Sequence, residues 1–463
     1  MLNYQSNPTF SATAFQINEV KLYSNLNDKN QFIDISNLIS TLTIQESLLK
    51  NSISADISII DAVSLIEAFK LNGNEKIEVV ITRKQLKGEE KEYSLKLYIA
   101  EINNYSRTKA GSHAYNLKCV SEHVYNNQYI TLVSPFQGSY GKIIDNICKT
   151  NLKISKDKLD ISGATGVGKG VFTRVKPLYA INWLLENCHD DGTPFFFYET
   201  IQGKIKLKSY KELLAQDVYA EYNNNPYTRE DLSTQSDPII AFNEELRKIR
   251  SLSSDFKISK LKSSSSGVYS SQAFNVDISN KVTDKSSFTL VENKNKQLND
   301  RKSFSDNIKF MDRKINEMPD VKNYFISKNS LAFGNQSNYH NDFGQGNLEA
   351  NSRLQNLNAL TKEITIAGDF DLELGAILDL NIQRVGADGY EYPKDQYISG
   401  NYLLLSKTHT FTSKGYFIKA LLKKDSFIES VDEIVKIKRE EVSEEWYVYR
   451  RWLCLVYCHR WRH

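Results

Sequence analysis

The chain has 463 residues, of which 40% are hydrophobic and 25% charged, and a formal net charge of +3. This length exceeds one ordinary hydrophobic core and predicts about two to four domains. The small net charge argues neither for nor against a nucleic-acid surface, and no stretch approaches the roughly 18 apolar residues of a membrane span. The N-terminus lacks a basic segment followed by an apolar one, so we expect no signal peptide and synthesis in the cytoplasm.

Aromatic residues and cysteines add two expectations. The chain carries 26 Tyr and 22 Phe but only 8 Pro, which favours extended sheets because aromatic side chains are enriched in strands. Its 5 cysteines are few and scattered. We therefore expect reduced, mostly buried thiols rather than a disulfide framework.

The N-terminal part of the chain has the pattern of a sheet. Alternating apolar and polar residues predict strands within 14–25 and 32–60. Residues 61–69 have the spacing of a short helix, with Asp61 as a candidate N-cap. Two further alternating stretches extend the sheet to about residue 125, and closing these strands into a barrel would remove their exposed edges.

From Ser134 the apolar spacing becomes helical. Residues 139–152 and 178–192 predict two helices, and Pro177 stands where a first-turn proline is tolerated. An aromatic strand and a hairpin that turns near Gly203 follow. Together these elements predict an inserted α+β segment.

The next part of the chain is harder to divide. The alternation in 267–290 predicts two strands. Residues 292–350 are rich in Asn, Lys, Asp and Ser, which predicts long loops with an interrupted helix near 305–317. A helix is predicted from Asn347 to Leu360, before a second β-rich stretch at 362–428.

An internal similarity relates the two β-rich parts. FKLNGNEKIEVVITR (69–83) aligns without a gap with FDLELGAILDLNIQR (370–384). The apolar alternation is in phase in the two copies, so both place the same row of side chains on a core face. The match predicts two similar β-modules in one chain.

One motif suggests nucleotide chemistry. GATGVGKG (163–170) fits G-x-x-x-x-G-K but has Gly170 where a P-loop has Ser or Thr. A P-loop also needs a helix to begin at its lysine, here Lys169, so that backbone amides bind phosphate. The residues that follow alternate like a strand. We therefore interpret the segment as a glycine-rich loop and not as a nucleotide-hydrolase site.

The remaining candidates for chemistry are weak. Cys188 and His189 end a predicted helix, where a histidine more often binds terminal carbonyls than serves a catalytic pair. Basic and aromatic residues interleave at 414–424 and 446–463, a pattern shared by nucleic-acid surfaces and solvated strands. We predict no catalytic, cofactor-binding or metal-binding residues, and no enzyme activity.

The final segment 446–463 differs sharply in composition, with three of the four tryptophans and no acidic residue. It is either an anchor that packs on a neighbouring subunit or a tail without an evolved role. Cys454, Cys458, His459 and His463 depart from the usual paired spacing of zinc ligands.

The order of several segments resembles the baseplate hub proteins of contractile-tailed phages of the T4 type, which are related to the hub portion of type VI secretion spike proteins. The resemblance covers about 15–428 and excludes 446–463. The segments that carry it are SPFQGSYGKIIDNICKTNL (134–152), PLYAINWLLENCHDDGTPFFFYETIQGKIKLKSYKELL (177–214), GVYSSQAFNVDISNKVTDKSSFTL (267–290) and ITIAGDFDLELGAILDLNI (364–382).

The resemblance implies a structural hub without an active site. Such hubs are homotrimers, and each subunit gives two β-barrel tube domains to a pseudo-sixfold ring. The ring joins the hexameric tail tube protein above to the trimeric central spike protein below and meets other baseplate proteins. Genomic DNA passes through its lumen without sequence-specific binding. The implied location is the virion, at the tail baseplate, after assembly in the host cytoplasm.

Two alternatives to the hub function stay open: a cell-wall hydrolase associated with a hub, and a receptor-binding tail protein.

The expected fold class is α+β, mainly β, with two similar β-barrel tube domains, an α+β insert and a loop-rich middle region. The predicted domains are a first β-barrel tube domain at 1–130, the insert at 131–222, a loop-rich middle region with β segments and a helix at 223–361, the main part of a second β-barrel tube domain at 362–428, and a C-terminal tail at 429–463.

Overall fold

The computed structural model describes most of the chain up to residue 426. The described residues are 3–4, 12–24, 31–84, 90–108, 111–164, 167–224, 238–256, 260–278, 280–290, 298–299, 309–310, 312–314, 318, 322–328, 343–357, 360–383, 395 and 398–426. Among these residues, no helix has the length and apolar character needed to cross a membrane. The predictions for 446–463 and for much of 292–350 lie outside the described residues.

The fold is α+β and mainly β, as the sequence predicts. The described strands are β1 (Asn3–Tyr4), β2 (Phe15–Tyr23), β3 (Phe32–Asp34), β4 (Ile39–Ser47), β5 (Ser54–Asp61), β6 (Lys76–Lys84), β7 (Glu90–Arg107), β8 (His113–Ser121), β9 (Leu132–Ser139), β10 (Leu159–Ile161), β11 (Val167–Val175), β12 (Phe195–Glu199), β13 (Ile205–Ser209), β14 (Val218–Asn224), β15 (Ser251–Phe256), β16 (Ser270–Asp277), β17 (Val282–Thr289), β18 (Lys309–Phe310), β19 (Arg313–Lys314), β20 (Asn323–Lys328), β21 (Leu360–Ala367), β22 (Ile377–Ile382), β23 (Gly400–Thr412) and β24 (Gly415–Lys424).

The described α-helices are short. They are α1 (Leu65–Phe69), α2 (Glu122–Tyr129), α3 (Tyr140–Asn146), α4 (Pro177–Glu186), α5 (Tyr210–Leu214), α6 (Pro238–Arg247), α7 (Lys260–Ser265) and α8 (Phe343–Asn356).

One large sheet contains two groups of six strands, which we call the N-terminal module (β2 and β4–β8) and the C-terminal module (β14, β15 and β21–β24). The N-terminal module has the hydrogen-bonded order β2-β6-β7-β8-β5-β4, and the C-terminal module has the order β14-β22-β23-β24-β21-β15. If the strands of each module are counted along the chain, both orders are first, fourth, fifth, sixth, third, second. The two modules therefore share one topology.

The first strand is the point of divergence between the modules. β2 runs antiparallel to β6, whereas β14 runs parallel to β22. In the part of the chain that the structure describes, the hydrogen-bonded order of each module is open, because its two end strands do not pair with each other. In the N-terminal module the outer edge of β4 is occupied instead by β23 of the C-terminal module.

The internal similarity in the sequence falls on equivalent strands. β6 begins at Lys76 and β22 begins 301 residues later at Ile377. The apolar residues that alternate along both strands are buried, namely Ile77, Val79 and Ile81 in β6 and Leu378, Leu380 and Ile382 in β22. The in-phase alternation predicted from the sequence is confirmed.

The α+β insert packs around its own core. The predicted helices are α3, with Ser139 at the N-cap position, and α4, whose first residue is Pro177 and which ends at Glu186, earlier than predicted. The predicted hairpin is β12–β13, and Gly203 in its turn has a left-handed φ of 73° that favours glycine. Buried residues of both helices and the hairpin form one cluster, which includes Ile144, Ile181, Leu184 and Leu207.

The middle region agrees with the sequence in part. The two strands predicted in 267–290 are β16 and β17, and the helix predicted from Asn347 is α8, which begins earlier. The helix predicted near 305–317 is wrong where the chain is described. There β18 and β19 pair as a small hairpin, and Asp312 before β19 has a left-handed φ of 60° that a helix does not accommodate.

The two modules share a single hydrophobic core. At its centre Phe370, which is 2% exposed, stacks on Tyr93 of the N-terminal module with ring centroids 4.1 Å apart. The same ring lies 5.0 Å from Tyr416 of the C-terminal module. Phe370 therefore holds both modules together through aromatic packing.

We expect Phe370→Ala to destabilise the chain by about 3–5 kcal/mol, because it removes a buried ring and leaves a cavity. Urea unfolding measures the change. The control is Phe325→Ala, since Phe325 is 78% exposed and its truncation should change stability by less than about 0.5 kcal/mol. Equal effects of the two substitutions would contradict a shared core at Phe370.

Candidate functional site

The glycine-rich segment around Lys169 lies in a strand. In β11, Lys169 pairs with Gln137 and Gly170 pairs with Phe136 of β9. A Cβ atom on Gly170 would lie 2.7 Å from the Phe136 ring, and one on Gly168 would lie 2.9 Å from the Tyr140 ring. These two glycines make room for aromatic rings. The backbone thus differs from a phosphate-binding loop, which leads into a helix.

Cys188 and His189 also have structural surroundings. Burial raises the pKa of the Cys188 thiol to about 12, whereas a nucleophilic cysteine needs a lowered pKa. The backbone N–H of Gly192 donates to Nδ1 of His189 at 3.2 Å. A Cβ atom on Gly346 of α8 would lie 1.9 Å from the histidine Nε2. The imidazole therefore packs between a turn and a helix.

Metal and nucleic-acid chemistry find little support in the described ranges. Within them, no group of three or more His, Cys, Asp or Glu side chains could hold a metal ion. In β24, Tyr416 and Lys424 are buried on the inner face, while Lys419 is exposed and paired with Glu363 at 2.7 Å. The cysteines and histidines of 446–463 lie outside the described residues.

The candidate site is the junction where the modules meet, which the sequence analysis did not identify. The first part of β23 pairs with β22, from Gly400 to Leu403. A bulge follows at Leu405. Beyond it, Ser406–Phe411 pairs antiparallel with Leu42–Ser47 of β4. A bulge bends a strand and redirects its pairing, so β23 belongs to both modules.

A buried carboxylate closes this junction. Glu46 of β4 is 1% exposed, and Lys407 and His409 of β23 are 2% and 0% exposed. The Oε1 atom of Glu46 lies 3.0 Å from Nζ of Lys407 and 2.6 Å from Nε2 of His409. Nζ of Lys407 also donates to the carbonyl of Leu372, and Nδ1 of His409 lies 2.6 Å from the Tyr416 hydroxyl.

The same carboxylate joins the insert to the junction. Oε2 of Glu46 accepts a hydrogen bond of 2.8 Å from the backbone N–H of Ile201, in the β12–β13 turn. In return, Glu199 of β12 accepts a bond of 3.0 Å from the N–H of Ile53 and one from the Ser121 hydroxyl. Two buried carboxylates thus connect three parts of the fold.

The electrostatics of this cluster favour an ionised Glu46. Burial alone would raise the pKa of Glu46, but Lys407 and the hydrogen bond from His409 outweigh it and lower the pKa from 4.5 to about 2. Burial, followed by the positive charge of Lys407, lowers the pKa of His409. The arrangement is that of a buried Glu–Lys ion pair with a neutral histidine as a further hydrogen-bonding partner.

A sequence signal for this cluster existed. In β4 the inward row of the alternation runs Leu42, Ile44, Glu46, and in β23 it runs Lys407, His409, Phe411. An acid in one inward row and two basic residues in another would have indicated a buried pair.

The insert also carries an exposed apolar patch. Its exposed members are Val133, Val171, Tyr179 and Trp183, which are 43% to 68% exposed. Behind them, Phe136 stacks on Phe172 at 4.3 Å. Contiguous exposed apolar groups are typical of surfaces that contact other proteins.

Comparisons with known proteins give structural likenesses. No family model matches the chain, and no curated protein matches it. A tail protein from Neisseria meningitidis MC58 is 12% identical, with 88% of this chain and 96% of that chain covered and a TM-score of 0.48. The 43 kDa tail protein of prophage MuSo2 from Shewanella oneidensis is 10% identical, with coverage of 88% and 98% and a TM-score of 0.49. The E. coli c3393 protein, a component of the type VI secretion system, is 8% identical, with coverage of 89% and 77% and a TM-score of 0.42.

We expect Glu46→Gln to lower the free energy of unfolding by about 3–5 kcal/mol, because it leaves Lys407 buried without its counter-charge. Urea unfolding at pH 7 measures the loss. The control is Glu363→Gln, which removes the half-exposed ion pair with Lys419 and should cost less than about 1 kcal/mol. A loss no larger than in this control would show that the ion pair does not seal the junction.

The lowered pKa of Glu46 predicts a dependence of stability on pH. A carboxylate with a folded pKa of about 2 and an ordinary value of 4.5 stabilises the fold fully above pH 4.5, and this contribution is lost as the pH falls toward 2. The stability difference between the wild type and Glu46→Gln should therefore narrow over that range. Urea midpoints measured from pH 7 to pH 2 give the profile. A constant difference would refute the assignment.

Proposed function

We propose that this chain is the hub subunit of a contractile-tail baseplate. Three copies form a ring in which six β-modules occupy quasi-equivalent positions. One face of the ring joins a hexameric tail tube, and the other joins a trimeric central spike. The function is structural, and the site of action is the virion baseplate.

The observation that carries this proposal is the shared strand order of the two modules. A ring that contacts a sixfold partner needs six similar surfaces, while contact with a threefold partner needs surfaces repeated three times. Two modules of one topology in each chain meet the first need, and three copies of the whole chain meet the second. Closed symmetric assemblies require matching geometry at each position, and the shared strand order of the two modules supports such a match.

Differences between the modules support the threefold side of the proposal. The insert β9–β13 follows the N-terminal module, whereas the strands β16–β20 interrupt the C-terminal module between β15 and β21. Each of these additions occurs once per chain. In a ring of three chains they would recur three times, as a trimeric spike requires, while the module strands recur six times.

The buried junction supports the adaptor role. A ring that transmits force between a tube and a spike needs a fixed angle between neighbouring modules. Glu46 and Lys407 hold β4 and β23 in one register, and the shared core around Phe370 fills the space between the modules. Inside one chain, the two modules are therefore joined rigidly.

The test uses the full chain at micromolar concentration. We expect native mass spectrometry to give three times the chain mass of 53.1 kDa, and negatively stained particles to appear as rings with six lobes. The interfaces between copies should bury more than about 2,000 Å² in total, as obligate interfaces do. A folded monomer at this concentration would overturn the proposal, and clearing of a peptidoglycan gel by the pure protein would favour the hydrolase alternative.

A further inference from the structure

We infer that neighbouring copies of this chain join by strand pairing between the outer edge of β7, from Ile102 to Arg107, and the outer edge of β15 in the next copy. The inference deepens the proposed function, on which it rests only for the number of copies. The partner is a second copy of this chain.

The internal junction provides the template for this contact. Within the chain, the second half of β23 pairs with β4. In the shared topology, β23 is the fifth strand of its module and its counterpart is β7. β4 is the second strand of its module and its counterpart is β15. The same contact repeated by the counterparts would pair β7 with β15.

The counterpart edges are both open in the described part of the chain. β7 pairs with β6 only from Glu90 to Tyr98, and beyond that point its described ladder is with β8 alone. β15 pairs with β21 and stands last in the order of the large sheet. These two edges cannot pair with each other within one copy, because the internal junction already joins the modules through β4 and β23. A second copy supplies the missing strand.

β7 and β23 have the same pairing register and the same bulge position. In the ladders to their neighbours, Tyr98 and Leu403 occupy equivalent positions, opposite Lys76 and Ile377. Each strand then has a bulge two residues later, at Ala100 in β7 and Leu405 in β23. After this bulge β23 stays paired with β24, but on its other edge β4 takes the place of β22. β7 likewise stops pairing with β6 after its bulge, and no described strand pairs with that edge.

The exposed edge of β7 is unusual for a protein that functions alone. Residues 104–107 are exposed, and Tyr105 among them is 58% exposed. Unpaired strand edges of this kind promote pairing with other chains, and monomeric proteins usually shorten or protect them. The edge of β7 presents an exposed aromatic residue, which suits an intermolecular contact.

The template also fixes the register. Thr410 lies opposite Thr43 in the internal junction. Their counterparts are Ser106 and Ser253, traced through the neighbouring strands, in which β24 corresponds to β8 and β21 corresponds to β5. A second bulge in β7, between Asn103 and Ser106, adds one residue and is included in this count. Ser106 should therefore face Ser253 of the next copy.

The contact between copies differs chemically from the internal one. The counterpart of Lys407 is Ile102, which is half-buried. The buried ion pair is therefore replaced by an apolar position on β7. We conclude that the internal junction is sealed by charge, while the contact between copies relies on backbone pairing and apolar packing.

A head-to-tail contact follows from this arrangement. Each copy uses β7 toward one neighbour and β15 toward the other, so the two surfaces differ. Such heterologous contacts close into rings when the rotation between copies allows it, and they otherwise give open filaments. Within a closed ring, the internal junction and the contact between copies alternate around the circle.

Disulfide trapping in the full chain tests the register. The background carries Cys454→Ser and Cys458→Ser, and Cys119, Cys148 and Cys188 are buried. The matched pair is Ser106→Cys with Ser253→Cys. The control pair is Ser106→Cys with Ser251→Cys, which uses another exposed serine of β15 two residues out of register. Cross-strand neighbours two residues apart are too distant for an unstrained disulfide.

After oxidation, we expect the matched pair to run on a denaturing gel as a covalent three-chain species, which a reducing agent converts to single chains. We expect the control pair to form no such species. Equal crosslinking of both pairs, or none in the matched pair while native mass spectrometry still shows three chains, would overturn the inference and leave the proposed function standing. Covalent ladders beyond three chains would support the strand pairing and contradict the three-copy ring. Thermal unfolding under reducing conditions checks that both double variants fold equally.

Discussion

The pairing of β4 with β23, sealed by Glu46, is the constraint on which the arrangement of the two modules depends. A buried carboxylate loses its hydration and is stable only when every partner is in place. Glu46 finds its partners on β23 and in the turn of the insert. A slip of one residue along β23 would set it opposite Ser406 or Thr408 and leave Lys407 on the wrong face. The cluster therefore specifies one register and one angle between the modules.

The sequence predicted what is encoded locally. The apolar alternation of 69–83 and 370–384 identified β6 and β22, and Pro177 marked the start of α4. The contact between Glu46 and His409 joins residues that are 363 positions apart, and no local pattern specifies which distant strand a given strand will meet. The parallel direction of β14 was hidden for the same reason. Around 305–317 the polar composition has no clear period, so the hairpin there could not be told from a broken helix.

The false candidates in the sequence have a common physical origin. Gly168 and Gly170 stand in a motif of nucleotide-binding proteins, yet their missing side chains accommodate the rings of Tyr140 and Phe136. Cys188 stands beside a histidine, yet its burial opposes the thiolate. In both cases a residue type that chemistry also uses is required by packing. Distances and burial distinguish the two explanations, whereas spacing along the chain does not.

The duplicated topology explains why the two kinds of junction should differ. Two modules in one chain always meet, since they fold together, and a charged cluster can form there because its partners come together during folding. A contact between copies forms later, by diffusion, and a buried Glu–Lys pair at that surface would expose unpaired charges in each free subunit and add desolvation to every association. A strand edge avoids this cost, because its backbone groups bind water until the next copy arrives. Ile102 at the position of Lys407 fits this division between a permanent junction and an assembled one.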